Sequence, residues 1–294
     1  MSRSTEQPVD TQALGLLLAS EVDYFRAGSR NIRLSEGVLS VTEGFESLAA
    51  GCVLHNADDE TPSNAASHPL WVDNQITRKR LALLESLFTE QKAGYFRCYL
   101  PLHSDVTESL SLTRGEYAQV VEVGLAARLV DIAATYASQR VDSTGRLLPV
   151  RSAEDWQRKK QLYQSAPIGP DGHDMQNGRF ADFEHFKCST GYMDSYLFIH
   201  RGICKGTISL AIKGRFARLK NLFVHPEFRN QGLGRRVIAL ALRESRHAGA
   251  TMVGVYALEN QSSHALYRSF GLKDAIRQVE WCTPLNPNKV RDRQ

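Results

Sequence analysis

Leu219-Lys220-Asn221-Leu222-Phe223-Val224-His225-Pro226-Glu227-Phe228-Arg229-Asn230-Gln231-Gly232-Leu233-Gly234 is the stretch on which the fold turns. Residues 217–224 read as a strand that closes on the β-branched Val224. Pro226 ends any ladder there, because it has no N–H to donate. Residues 229–234 then open a helix that runs to about His247, with Leu233, Val237, Leu240 and Ala241 on one face and Gly249 as its stop. A further strand is expected over 252–258. The order is therefore strand, glycine-containing turn, helix, strand.

A turn of that kind at a helix start is an anion site. Glycine lets the backbone come close, free amides point outward, and the helix dipole favours negative charge. Arg235 and Arg236 lie where the dipole disfavours cations. Either they point into water or a bound polyanion offsets them. Gly-x-Gly-x-x-Gly is absent, so this is not the dinucleotide fingerprint.

Residues 219–234 closely resemble the acetyl-CoA motif of the GNAT acetyltransferase family, Val-x-Pro-x-x-Arg-x-x-Gly-x-Gly. A second match follows: Asn260 begins Asn-x-x-x-x-Ala-x-Tyr-x-x-x-Gly, which ends at Gly271. The domain this resemblance implies covers roughly residues 148–281. It implies that the amides of Arg229, Asn230, Gln231, Gly232, Leu233 and Gly234, with Arg235 beside them, hold a pyrophosphate. Leu222, Phe223 and Val224 would run along the pantetheine arm, and Asn260 would touch that arm. Tyr267 would sit beside the sulfur as general acid, with acetyl-CoA as acyl donor. A thioester is already activated, so the chemistry needs no protein nucleophile. It needs an N–H for the developing oxyanion, here that of Leu222, and a proton for the departing thiolate.

The base that takes the proton of the incoming ammonium is open among Glu184, His185, Asp194 and Glu259. His225 reads as a strand-end residue and His264 as an exposed helix residue. No Gly-x-Ser-x-Gly elbow and no metal-ligand pair of histidines occurs, so no metal is expected.

The chain has 294 residues, 42% hydrophobic and 23% charged, with a formal net charge of +4. Arg78-Lys79-Arg80 and Arg158-Lys159-Lys160 are short and read as solvated helix faces rather than a nucleic-acid site. Five cysteines without a Cys-x-x-Cys pair suit a reducing compartment. No apolar run reaches membrane-span length, and residues 1–10 are polar, so a cytoplasmic protein is expected.

Residues 11–22 and 73–91 read as helices, 37–54 as strand and turn, and 95–100 as a strand. Residues 117–126 suit a strand, with a helix as the alternative, and 131–139 look helical. Ser152 with Asp155 is a capping-box variant opening another helix. Residues 56–68 and 167–178 read as loops, and a short helix carrying Phe180, Phe183 and Phe186 is expected. Residues 195–200 and 206–212 pair across a turn at Arg201-Gly202. The expected class is α/β (α+β), a mixed, mostly antiparallel central sheet flanked by helices, in two tandem domains. The divisions are a tail at 1–10, an N-terminal domain at 11–145 and a catalytic domain at 146–294. The N-terminal domain is either a degenerate GNAT-like unit or an unrelated α+β cap.

The expected function is acetyl transfer from acetyl-CoA to the primary amine of a small molecule: an amino acid, an amine metabolite or an antibiotic. The alternatives are a protein N-acetyltransferase and a non-catalytic acyl-CoA sensor. A small-molecule partner is expected, without nucleic acid or membrane, in a monomer or homodimer.

Overall fold

Helix α1 (Thr11–Arg26) opens the fold, followed by strands β1 (Arg30–Arg33), β2 (Val38–Val41) and β3 (Cys52–His55). Helix α2 (Arg78–Glu90) leads to β4 (Tyr95–Pro101), β5 (Ala118–Arg128) and α3 (Leu129–Tyr136). Then come β6 (Gly145–Pro149), α4 (Ala153–Gln164), α5 (Arg179–Ser189), β7 (Asp194–His200), β8 (Ile203–Lys213) and β9 (Phe216–Val224). A 3-10 turn (Pro226–Phe228) precedes α6 (Leu233–His247), β10 (Met252–Leu258), α7 (Ser262–Arg268) and β11 (Lys273–Pro284). This computed structural model describes residues 11–34, 37–55, 78–101, 118–136, 145–165 and 178–285. The expected loop at 56–68, and the one at 167–178 except for its last residue Gly178, lie outside them.

The strands form one 11-stranded sheet in the order β1-β2-β3-β4-β11-β5-β10-β9-β8-β7-β6. Two neighbouring pairs are parallel, β3/β4 and β9/β10, and the rest are antiparallel. The mixed, mostly antiparallel sheet flanked by helices is the one expected from the sequence. Residues 118–128, ambiguous in sequence, are a strand. The β-branched pairs in Val120-Val121 and Val123 favour that state, and β5 is held on both sides by β10 and β11.

The position of β5 governs how the two halves meet. It precedes residue 145, yet it lies between β10 and β11, both from the C-terminal half. β11 in turn pairs with β4. Strands from both sides of the expected division at 145/146 thus interleave in one ladder.

Side chains alternate across the sheet. On one face Ala217 and Leu219 of β9, Val253 and Val255 of β10, and Val123 and Leu125 of β5 join α3, α6 and α7 in a core that includes Val237, Ala241 and Phe270. On the same face α2 packs Leu84 and Phe88 against Phe96, Cys98 and Trp281. On the opposite face α1 sets Leu17 against Phe216 and Met252. Two glycines let α1 come down onto the sheet. A Cβ on Gly254 would stand 2.7 Å from the Phe216 ring and 2.8 Å from the Leu17 side chain, and one on Gly124 would stand 2.9 Å from the Tyr256 ring.

The Ser152 cap forms as expected: its side chain accepts from the Asp155 amide, and the Asp155 side chain answers on the cap backbone. The Arg158-Lys159-Lys160 run is corrected. Arg158 pairs with Glu154 and Lys160 with Asp182, but Lys159 is fully buried. It reaches inward between Ser195 of β7 and Glu184 of α5.

Candidate active site

The parallel ladder between β9 and β10 ends early. Met252 pairs with Phe216, Val253 with Ala217 and Gly254 with Arg218, and there the pairing stops. Beyond that point β9 continues to Val224 along β8, while β10 continues to Leu258 along β5. The two strands therefore fork, and a segment of β9 from Leu219 to Val224 faces an opening.

A bulge in β9 shapes this opening. Its register against β8 slips between Thr207/Phe223 and Ser209/Lys220, so β9 carries one extra residue there. Asn221, inside the bulge, has a left-handed φ of 55°. Its amide nitrogen donates to Glu184 Oε1 at 2.7 Å. Glu184 is fully buried, and it also accepts from Ser209 (2.9 Å) and Tyr163 (2.6 Å) and pairs with Lys159 at 2.9 Å. All four donors converge on two carboxylate oxygens. Glu184, a candidate base in the sequence, is thus committed to holding the bulge.

The other base candidates lie elsewhere. His185 is exposed and stacks on Trp156 at 4.5 Å, Asp194 pairs with Arg151 at 2.8 Å, and Glu259 pairs with Arg277 at 2.9 Å. His225 accepts from the Glu227 amide at the strand end. His264 is buried rather than exposed, with Nε2 3.0 Å from Asp274.

The turn before α6 has the form of an anion nest. Asn230 and Gly232 both take left-handed φ, at 60° and 73°. No side chain caps α6 at Gly232, and a Cβ there would meet nothing within 4 Å. The amides at the helix start open onto free space, which suits a phosphate. Arg229 contributes differently from expectation: its amide donates to Pro226 O and its Nε to Val224 O at 3.1 Å, tying the turn to β9. Arg235 bonds Ser269 at 3.0 Å and Arg236 lies 3.2 Å from His200 Nε2, so neither simply points into water. Asn260 is exposed, in the left-handed turn between β10 and α7.

Beneath the fork is a cavity of about 330 Å³. Leu222 and Tyr267 line it, and so do Glu21, Arg97, Glu122, Arg218, Lys220 and Tyr256. The last group was not found from the sequence. Adjacent strands place these polar residues on the α1 face: Arg218 and Lys220 from β9, Tyr256 from β10, Glu122 from β5 and Arg97 from β4, with Glu280 of β11 paired to Arg97 beside them. Glu21 of α1 completes the set, bonding Arg218 Nη2 and Lys220 Nζ. The visible signal was charge inside apolar runs: Glu21 in a leucine-rich helix, Glu122 among valines, and Arg218 and Lys220 within a strand.

The charges perturb one another. Burial raises the Glu21 carboxyl, but Arg218 and Lys220 outweigh it and hold the group below its ordinary value. Glu122 is held well above the usual carboxylate range, by burial first and then by Glu280, with Arg97 opposing. Burial lowers Lys220 to about 8 against the pull of Glu21. Burial also raises the Tyr267 phenol, which stays protonated through neutral pH.

Residues 156–272 match the family model described as acetyltransferase (GNAT) family. The matched segment, residues 156–272, is a GNAT-family domain. The GNAT match takes in the fork, the bulge, the nest and Tyr267. No curated protein matches the sequence. Among solved structures, a GCN5-related N-acetyltransferase from Kribbella flavida is similar in fold, with a TM-score of 0.62 at 14% identity over 95% of this chain and 97% of that one. A conserved protein from Staphylococcus epidermidis gives a TM-score of 0.63 at 10% identity, over 88% and 96%. A tandem GNAT protein from the clavulanic acid biosynthesis pathway gives 0.53 at 14%, over 95% and 97%. These likenesses concern the fold, and they extend through the N-terminal half. Among the described residues no helix is long and apolar enough to cross a membrane, and no cluster of His, Cys, Asp and Glu is arranged to hold a metal ion.

Proposed function

We propose that the protein transfers an acetyl group from acetyl-CoA to the primary amine of a small molecule, by direct attack of the amine on the thioester. The observation that carries this reading is the fork at Arg218 and Gly254, which opens from the anion nest onto a cavity with Tyr267 and Glu122 in its walls. The residues present fit the donor. The nest is uncapped and unfilled at Gly232, and β9 offers an unpaired backbone segment for an extended arm.

A thioester bound at the fork supplies an acyl group that is already activated. The Leu222 N–H, at the bulge that Glu184 fixes, is the donor for the developing oxyanion. Tyr267 keeps its proton to neutral pH and gives it to the departing thiolate. Glu122 takes the proton that the ammonium must lose. A carboxyl held above its usual range works nearer neutral pH as a base than an ordinary glutamate. A small acceptor is favoured over a protein chain because α1 packs across β5, β9 and β10 and roofs this part of the sheet.

Acetyl-CoA incubated with a panel of amines tests the reading. Thiol release that depends on the amine, with acetylated amine formed in equal amount, is expected. Binding of acetyl-CoA without any amine-dependent release would favour a non-catalytic sensor.

A further inference from the structure

The acceptor cavity holds more hydrogen-bond donors than its own residues satisfy. Arg218 is 2% exposed, and among the described residues its Nε and Nη1 have no hydrogen-bond partner, although Nη2 bonds Glu21. The Tyr256 hydroxyl is buried and has none either. The two side chains lie together, with the guanidinium 4.4 Å from the Tyr256 ring centre, and both line the cavity. A buried donor left unpaired costs roughly 1–3 kcal/mol, and a charged one costs more. Such groups persist where a ligand completes them.

The charges point the same way. Arg97 is balanced by Glu280 at 2.8 Å. Glu21 is a single carboxylate facing both Arg218 and Lys220. While Glu122 holds its proton, this group carries one positive charge more than its carboxylates balance, at the fork where the acyl group would lie. Across the same cavity Glu122 supplies a carboxyl for an amine, and Tyr24, Phe25 and Phe180 supply an apolar aromatic wall.

We propose that the acceptor is an amino acid whose carboxylate is held by Arg218 and the Tyr256 hydroxyl, whose amine faces Glu122, and whose apolar side chain lies against Tyr24, Phe25 and Phe180. This rests on the acyl-transfer reading above and narrows it to one substrate class. The carboxylate and the amine of one small molecule match the unpaired Arg218 and Tyr256 donors and the Glu122 carboxyl of one cavity. An amine without a carboxylate leaves the Arg218 donors unpaired, and a site built around polar partners discriminates strongly against such an analogue.

The test uses matched pairs: phenylalanine with phenethylamine, and leucine with isopentylamine, each with acetyl-CoA and thiol-release detection. The amino acid of each pair is expected to have a kcat/KM at least about 100-fold above its decarboxylated partner. Tyr256→Phe removes only a hydroxyl that is unpaired in the free protein, so the fold has nothing to lose. It should raise KM for the amino acid about tenfold and so narrow the gap between the two members of each pair. Arg218→Lys keeps the charge beside Glu21 and should reduce the preference by at least tenfold. Equal or better use of the decarboxylated amines, or a preference untouched by both variants, overturns the amino-acid assignment while leaving acyl transfer standing. Absence of thiol release with every amine overturns acyl transfer and this inference with it.

Discussion

The side-chain amide of Asn221 donates to Glu184 at 2.7 Å, and this bond ties the β9 bulge to α5. Asn221 sits at φ 55°, a conformation that asparagine tolerates better than most residues. Asn221→Ala should destabilise the protein by about 1–3 kcal/mol, through backbone strain and a lost bond to a buried carboxylate. Asn221→Gly should recover the strain component alone. Glu184→Ala should cost about 3–5 kcal/mol, because it leaves Lys159 buried and unpaired. Chemical denaturation of the three variants checks this order. A Glu184→Ala protein of native stability would mean that Glu184 does not hold the bulge.

Tyr267 and Glu122 act at opposite ends of the reaction, and their variants should differ in kind. Tyr267→Phe should lower kcat about 10²-fold with little change in acetyl-CoA binding, since a lost general acid affects the transition state. Glu122→Gln should lower kcat/KM by about 10²–10⁴.

Glu122 also fixes the direction of the pH dependence. Burial and Glu280 hold its proton above the ordinary range, while Arg97 opposes them. The base form therefore appears only as pH rises past that raised value, and kcat/KM should climb through a limb lying above the usual carboxylate range. Glu122→Gln should abolish that limb. For stability the sign is opposite: a raised carboxyl favours the folded state at low pH, and this contribution is lost as pH rises through the folded value. A wild-type limb that survives in the variant would assign the titration to another group.

β5 should make the C-terminal half dependent on the N-terminal half. A chain of residues 146–294 lacks the strand between β10 and β11, which leaves two facing edges unpaired. It should be insoluble or lack cooperative unfolding. A soluble, fully active fragment would show that β10 and β11 can close on each other.

Much of the C-terminal half was legible because its signals are local. Pro226, the glycines at 232 and 234, and the spacing from Asn260 to Gly271 each require only a few neighbours, and residues 233–247 carry a clear apolar face. The bulge was not legible, because it follows from a register slip against β8 and from Glu184, 37 residues away. The cavity was less legible still. Glu21, Arg97 and Glu122 approach Arg218 only through the strand order β4-β11-β5-β10-β9, which joins residues far apart in sequence. His264 and Lys159 were misplaced for the same reason. Each satisfies a buried partner, Asp274 or Glu184, that sequence position does not reveal.

Calorimetric titration of acetyl-CoA into the wild-type protein and into Gly232→Trp tests the donor site most directly. The wild type should bind with one site. In the variant an indole occupies the open space beside the α6 amides, and the binding heat should vanish while the thermal unfolding transition remains cooperative. Equal affinity in a folded Gly232→Trp protein would contradict a donor site at the head of α6.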